Sequence, residues 1–220
     1  MSLKSFAARI FASRVVRKQN RWMNDPLETQ LQVFRSLIRT AEKTAFGKDH
    51  NFHEISDYTD FASNVPVRDY EKLRAYVDRV VEGEENVLWQ GKPKYFGKTS
   101  GTTSGAKYIP ITKEAIQCQV NASRDAILNY IHNTGKTAFV KGKMIFLQGS
   151  PMLSEKNGIK IGRLSGISAH YVPAYLQRNR LPSWETNCIE DWETKVERII
   201  DETIDQDMTV IAGIPSWVQM

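Results

Sequence analysis

The chain has 220 residues, 41 % of them hydrophobic and 25 % charged, with a formal net charge of +5. No run approaches the roughly 18 apolar residues of a membrane-spanning helix. Cys118 and Cys188 lie far apart without a C-x-x-C partner, which excludes a zinc ribbon, gives no sign of a disulfide scaffold and makes a reducing cytoplasm the default.

The positive charge is concentrated at the start. Lys4, Arg9, Arg14, Arg17, Lys18 and Arg21 precede the first acidic residue, Asp25. Leu3, Phe6, Ala7, Ile10, Phe11 and Val15 fall near helical spacing, so residues 3–21 read as a basic amphipathic helix. A transit peptide, a membrane-surface helix and a nucleic-acid arm all fit that pattern. The reading taken is a terminal helix docked through Phe6, Ile10 and Phe11 with its charges solvated, so neither nucleic acid nor membrane is expected as a partner. Residues 25–82 form a helical segment. Asp25, Pro26 and Glu28 suggest a capping box, Leu27, Leu31, Phe34, Leu37, Ile38 and Ala41 supply an apolar face, and Gly47 is the expected stop. A second helix is predicted from Asp69 to Val81, ended by Gly83. His50 and His53 read as ordinary surface or packing residues, and no metal-ligand spacing appears.

Thr112 is placed to cap a helix from Lys113 to about His132, and Lys143 to Leu147 reads as a strand. Ile159 to Arg163 and Tyr171-Val172 are weaker strand candidates. Ile189, Trp192, Val196, Ile199 and Ile204 then predict a helix, and Met208 to Ala212 a buried strand. Helices alternating with apolar strands argue an α/β architecture.

Residues Thr99 to Lys107 read TSGTTSGAK, between the strand-like segments at Tyr95-Phe96 and Tyr108 to Ile111. Glycines let backbone N–H groups converge on an anion, hydroxyls add uncharged donors, and lysine supplies a point cation. The spacing fails the Walker A pattern, because Gly101 and Gly105 are too close and Ala106 separates Gly105 from Lys107. From the residues alone, a phosphate-binding loop and a plain flexible turn both remain open.

The stretch from Ser100 to Lys107 resembles the phosphate loop of the adenylate-forming superfamily, with Ser104, Gly105 and Ala106 as departures. These departures, with Asp25-Pro26, Phe46-Gly47-Lys48, Val65-Pro66-Val67, Tyr70-Glu71, Leu88 to Pro93, Asp191-Trp192-Glu193 and Ala212 to Trp217, resemble the auxin-responsive Gretchen Hagen family of acyl-acid amido synthetases, particularly its bacterial branch. The resemblance implies the incomplete N-terminal portion of a large adenylate-forming domain, in an enzyme of roughly two to three times this size. It also implies two reaction steps. A carboxylic acid attacks the α-phosphate of ATP, forming an acyl-adenylate and releasing pyrophosphate; an amine or amino acid then displaces AMP.

By the same resemblance Thr99, Ser100, Gly101, Thr102, Thr103 and Ser104 contact the β- and γ-phosphates, and Lys107 neutralises them. Magnesium bridges the phosphates through a ligand not assigned among these residues. Gln117, Asn121 and Arg124 line the acyl pocket, Arg124 as partner of a carboxylate. No catalytic residue is assigned. The adenine and ribose motifs and the C-terminal domain are expected downstream, leaving the 220 residues inactive alone and prone to self-association through an open sheet edge. The competing class is a non-catalytic module whose Gly/Ser/Thr loop binds an anion or a partner.

Overall fold

A computed structural model describes residues 3–99, 107–213 and 215–219, all but the Tyr175 side chain. Its architecture is mixed α/β and divides into two compact units, one of Met1–Gln19, Gln117–Leu153 and Gly162–Met220, the other of Asn20–Ile116 and Ser154–Ile161. Helix α1 (Leu3–Asn24) opens the chain and runs from the first unit into the second.

In the second unit α2 (Pro26–Ala41) starts at Asp25, whose carboxylate accepts from the Glu28 N–H at 3.4 Å. The expected box is only half built, because the Glu28 carboxylate accepts from Gln32 Nε2 instead. A full capping box stands at α4 (Tyr58–Asn64), between Asp57 and Asp60. Gly47 does not end α2. It lies inside α3 (Ala45–Asp49), where an added Cβ would fall 2.2 Å from the Ala41 carbonyl oxygen. The glycine is needed for close approach rather than for termination. Thr44 makes that tight turn: its hydroxyl donates to Ala41 O at 2.6 Å and accepts from Gly47 N–H at 2.9 Å.

Helix α5 (Tyr70–Val81) is capped by Asp69, and Gly83 follows it at φ +92°. Its Val77, Val80 and Val81 pack with Val87, Phe96, Ile159 and Ile161 in one apolar core. Phe96 comes from β1 (Tyr95–Thr99), which pairs antiparallel with β2 (Lys107–Ile111). With β4 (Ser154–Lys156) and β5 (Ile159–Gly162) they form a sheet of order β2-β1-β5-β4. A second cluster joins Ile38, Ala41 and Phe52, with Phe34, Phe46, Phe61 and Trp89 against it.

In the first unit, helix α6 (Lys113–Thr134) packs its Leu128 and Ile131 on Ala12 of α1, with Ala8 and Val15 alongside. This corrects the expected docking face. Phe6, Ile10 and Phe11 are 52, 41 and 44 % exposed, whereas Ser5, Ala12 and Val16 are buried. Small side chains let the two helices approach closely, and Arg9 Nη2 fixes the pair by donating to Gly135 O at 2.6 Å. Gln19 adds bonds to Asp125 and Asn129.

Strand β3 (Lys143–Leu147) lies between β6 (Arg180–Leu181) and β7 (Met208–Gly213), parallel to both. Strand β7 is not the buried strand expected. It stands at an edge of this described sheet, half-buried, with Ile211 61 % exposed. Tyr171-Val172 form a turn: their N–H groups bond back to Ser168 O and Ala169 O, closing α7 (Leu164–Ala169), and so are not offered to a strand ladder. Helix α8 (Trp192–Thr203) begins where the Asp191 carboxylate accepts from Thr194 N–H. It is shorter than the stripe, with Ile189 and Ile204 beyond its ends.

Candidate functional site

The hairpin of β1 and β2 holds paired register from Tyr95↔Ile111 to Thr99↔Lys107. Its base is buried and its far end exposed: Tyr95, Phe96 and Gly97 lie inside, Lys98 and Thr99 outside. An antiparallel ladder carried to its last pair sets both ends of the connecting segment on neighbouring strands, about 5 Å apart. Thr99 and Lys107 are therefore brought together at the open end. Ser100, Gly101, Thr102, Thr103 and Ser104, the other proposed phosphate contacts, lie outside the described residues.

Lys107 is held from beneath. Its Nζ lies 5.2 Å from the centre of the Tyr70 ring, and the Tyr70 hydroxyl accepts from the next residue's N–H, Tyr108, at 3.0 Å. A cation over an aromatic face gains electrostatic attraction while its other side stays free to meet an anion. Tyr70 opens α5, so the Asp69 cap that starts that helix also sets where Lys107 sits. In the sequence Tyr70-Glu71 stands out only through the family resemblance; an aromatic at the first position of a capped helix is the local signal it carries.

On the other side of the hairpin, the Thr112 hydroxyl accepts from Ala115 N–H and starts α6. The Glu114 carboxyl is held below its usual range by its own backbone N–H and then by Thr112, with the Trp89 indole adding a bond. Trp89 thus ties the Leu88 to Pro93 segment to the exit of the hairpin. His50 is buried: its Nδ1 lies 2.7 Å from Phe46 O and its Nε2 2.8 Å from Arg68 Nη1. The ring also stacks on Phe46 at 4.1 Å. These bonds explain Phe46-Gly47-Lys48 as a packing feature.

Gln117, Asn121 and Arg124 follow at helical spacing on one side of α6. Gln117 Nε2 donates to Asn121 Oδ1 at 3.1 Å. Arg124 pairs with Asp125 at 2.6 Å and lies over the Phe11 ring, so its charge is already partnered. The three belong to one compact unit, and Thr99 and Lys107 to the other. The donor set at the hairpin end, a hydroxyl and an ammonium, fits phosphate oxygens. Among the described residues no three His, Cys, Asp or Glu side chains gather as a metal-ligand set, so the present residues assign no magnesium ligand.

A family model for the GH3 family N-terminal domain matches residues 15–186. The chain belongs to the GH3 family. Over 82 residues it is 39 % identical to an indole-3-acetic acid-amido synthetase, GH3.15 of Arabidopsis thaliana, a match covering 36 % of this chain and 14 % of that protein. It is 21 % identical over 141 residues to a jasmonoyl-L-amino acid synthetase, JAR4 of Nicotiana attenuata, covering 63 % of this chain and 24 % of the relative. The fold is similar to that of a GH3.15 acyl acid amido synthetase, with a TM-score of 0.62 and 20 % identity over 76 % of this chain and 29 % of that one. A structure of the same enzyme in complex with 2,4-DB gives 0.59 and 23 %, over 73 % of this chain. The matches thus span under a third of the relatives' length. Several residues that carry the sequence resemblance sit at structural joints: Asp25 and Asp191 are helix caps, Gly47 is a close approach, and Trp192 and Trp217 have ring centres 5.0 Å apart.

Proposed function

We propose that this GH3 chain supplies the phosphate-contacting hairpin of an ATP-dependent acyl-acid amido synthetase, of the bacterial branch and the adenylate-forming superfamily. The observation that carries the reading is the hairpin end, where Thr99 and a Lys107 braced by Tyr70 meet, in a chain of this family. Residues 99–104 contact the β- and γ-phosphates through hydroxyl and backbone donors, and Lys107 offsets their charge. Phosphate transfer of this kind depends on positioning and charge stabilisation more than on covalent chemistry. The acyl acid's carboxylate attacks the α-phosphate, pyrophosphate leaves, and an amine or amino acid displaces AMP. Magnesium, when bound, lowers the charge on the phosphates. Gln117 and Asn121 are the better candidates for the acyl pocket, since Arg124 is engaged by Asp125.

The amide-forming relatives are far longer than the matched portion. We take the 220 residues to be inactive alone and to self-associate through the exposed β7 edge, where Ile211 stands clear. A cytoplasmic setting fits the free thiols of Cys118 and Cys188.

The test is pyrophosphate exchange with a panel of carboxylic acids, in this chain and in a longer protein that contains it. Exchange is expected only in the longer protein. There, Thr102→Val removes one charge-assisted bond, worth about 1.5–3 kcal/mol, and should slow exchange roughly ten- to a hundredfold. Unchanged exchange in that variant would exclude Thr102 from the phosphate site. Triphosphate binding without exchange in the longer protein would favour the non-catalytic module.

A further inference from the structure

Helix α1 has a second face that the packing leaves unused. Ser5, Ala12 and Val16 point inward, so the stripe on the opposite side runs through Leu3, Phe6, Ile10, Arg14 and Arg17. Spacings of three and four residues place these five on one side of the helix, over about 21 Å of helix length. The stripe is apolar in its first half and cationic in its second. Leu3 is 84 % exposed, Phe6 52 % and Ile10 41 %. Three adjacent large apolar side chains held in water are unusual unless they mark an interaction surface.

The electrostatics narrow the partner. No acidic residue occurs before Asp25. Arg9 and Phe11 are drawn into contacts with Gly135 and Arg124, but among the described residues no side-chain hydrogen bond or ion pair engages the guanidinium of Arg14 or Arg17. A shallow groove of about 400 Å³, lined by Phe6, Arg9, Ile10, Ser13, Arg14 and Arg17, sets apolar groups beside guanidinium groups. The leading turns also lie before residue 15, where the match to the family model begins.

We infer that this stripe docks on the surface of an anionic phospholipid membrane. Leu3, Phe6 and Ile10 enter the boundary between headgroups and acyl chains, while Arg14 and Arg17 pair bidentately with headgroup phosphates. A nucleic acid would satisfy the arginines equally, but its phosphate backbone has no use for the three apolar side chains. With so few inserted groups the binding is peripheral and reversible.

The experiment is co-sedimentation of a longer protein that contains these 220 residues with vesicles of phosphatidylcholine alone or mixed with phosphatidylserine. Binding is expected to the mixed vesicles, weakened by salt. Arg14→Gln and Arg17→Gln should each lower affinity roughly fivefold. The double variant Phe6→Ser/Ile10→Ser should abolish sedimentation while melting at the wild-type temperature, because neither residue packs in the interior. Equal binding to neutral vesicles, or no binding to phosphatidylserine at low salt, overturns the inference. If the serine double variant binds undiminished and duplex DNA displaces it from vesicles, the face is a nucleic-acid surface instead. If that variant turns a dimer into a monomer on gel filtration and the wild type ignores vesicles, the face is an interface between copies.

Discussion

Tyr70→Phe separates the two things that Tyr70 does at the hairpin. The variant keeps the ring beneath Lys107, 5.2 Å from its Nζ, and removes the hydroxyl that accepts from Tyr108 N–H at 3.0 Å. A lost hydrogen bond costs about 0.5–1.5 kcal/mol when water can replace the partner, and up to about 3 kcal/mol when the donor is left buried. Tyr108 is half-buried, so we expect about 1 kcal/mol, seen as a fall of roughly 2–4 °C in melting temperature. Triphosphate affinity should stay within about twofold, since the cation–π contact, worth about 0.5–2 kcal/mol, survives. Lys107→Gln should do the reverse. It leaves the Tyr70–Tyr108 bond in place but removes a charge facing the phosphates, so affinity falls roughly ten- to a hundredfold. Differential scanning fluorimetry and titration with a fluorescent ATP analogue, both on a longer protein that binds ATP, measure the two effects. Lys107→Gln with unchanged affinity would refute the phosphate role, and Tyr70→Phe with unchanged stability would refute the bracing role.

Two further substitutions test the frame around the site. Gly47→Ala places a Cβ 2.2 Å from Ala41 O and 2.9 Å from Glu42 O, both backbone atoms that cannot swing aside. It should destabilise by about 1–3 kcal/mol, read as a lower urea midpoint, and an unchanged midpoint would show that α3 shifts freely. For Glu202, burial works against the carboxylate, but bonds from the Ser183 and Thr186 hydroxyls and the Ser183 N–H outweigh it and hold its pKa below the usual range. Because the folded value is the lower one, this stability is present above the unfolded pKa, about 4.3, and is lost as pH falls through the folded value. Wild type should melt above Glu202→Gln at pH 7, with the gap closing below about pH 4; a gap constant down to pH 3 would contradict this.

Helix starts were legible from the sequence because their chemistry is local. Asp25 and Asp69 cap their own helices within three residues, and the short apolar run Lys143 to Leu147 reads as a strand. The phosphate-loop reading rested on nine contiguous residues, and both flanking strands were visible around them. What bears on Lys107 from below was not, because Tyr70 is 37 positions away and only the fold sets the two together.

The N-terminal helix shows where sequence stops deciding. Its periodicity contains two stripes, one of large apolar residues and one of small ones, and hydrophobicity alone favours the first. The fold chose the second, since the surface of α6 accepts Ala8 and Ala12 at a distance that Phe6 or Ile10 would prevent. Met208 to Ala212 likewise reads as a strand from its residues, but its burial depended on which neighbours pair with it. Strand order is a property of long-range contacts, and it placed β7 at an edge of the sheet, where Ile211 faces water.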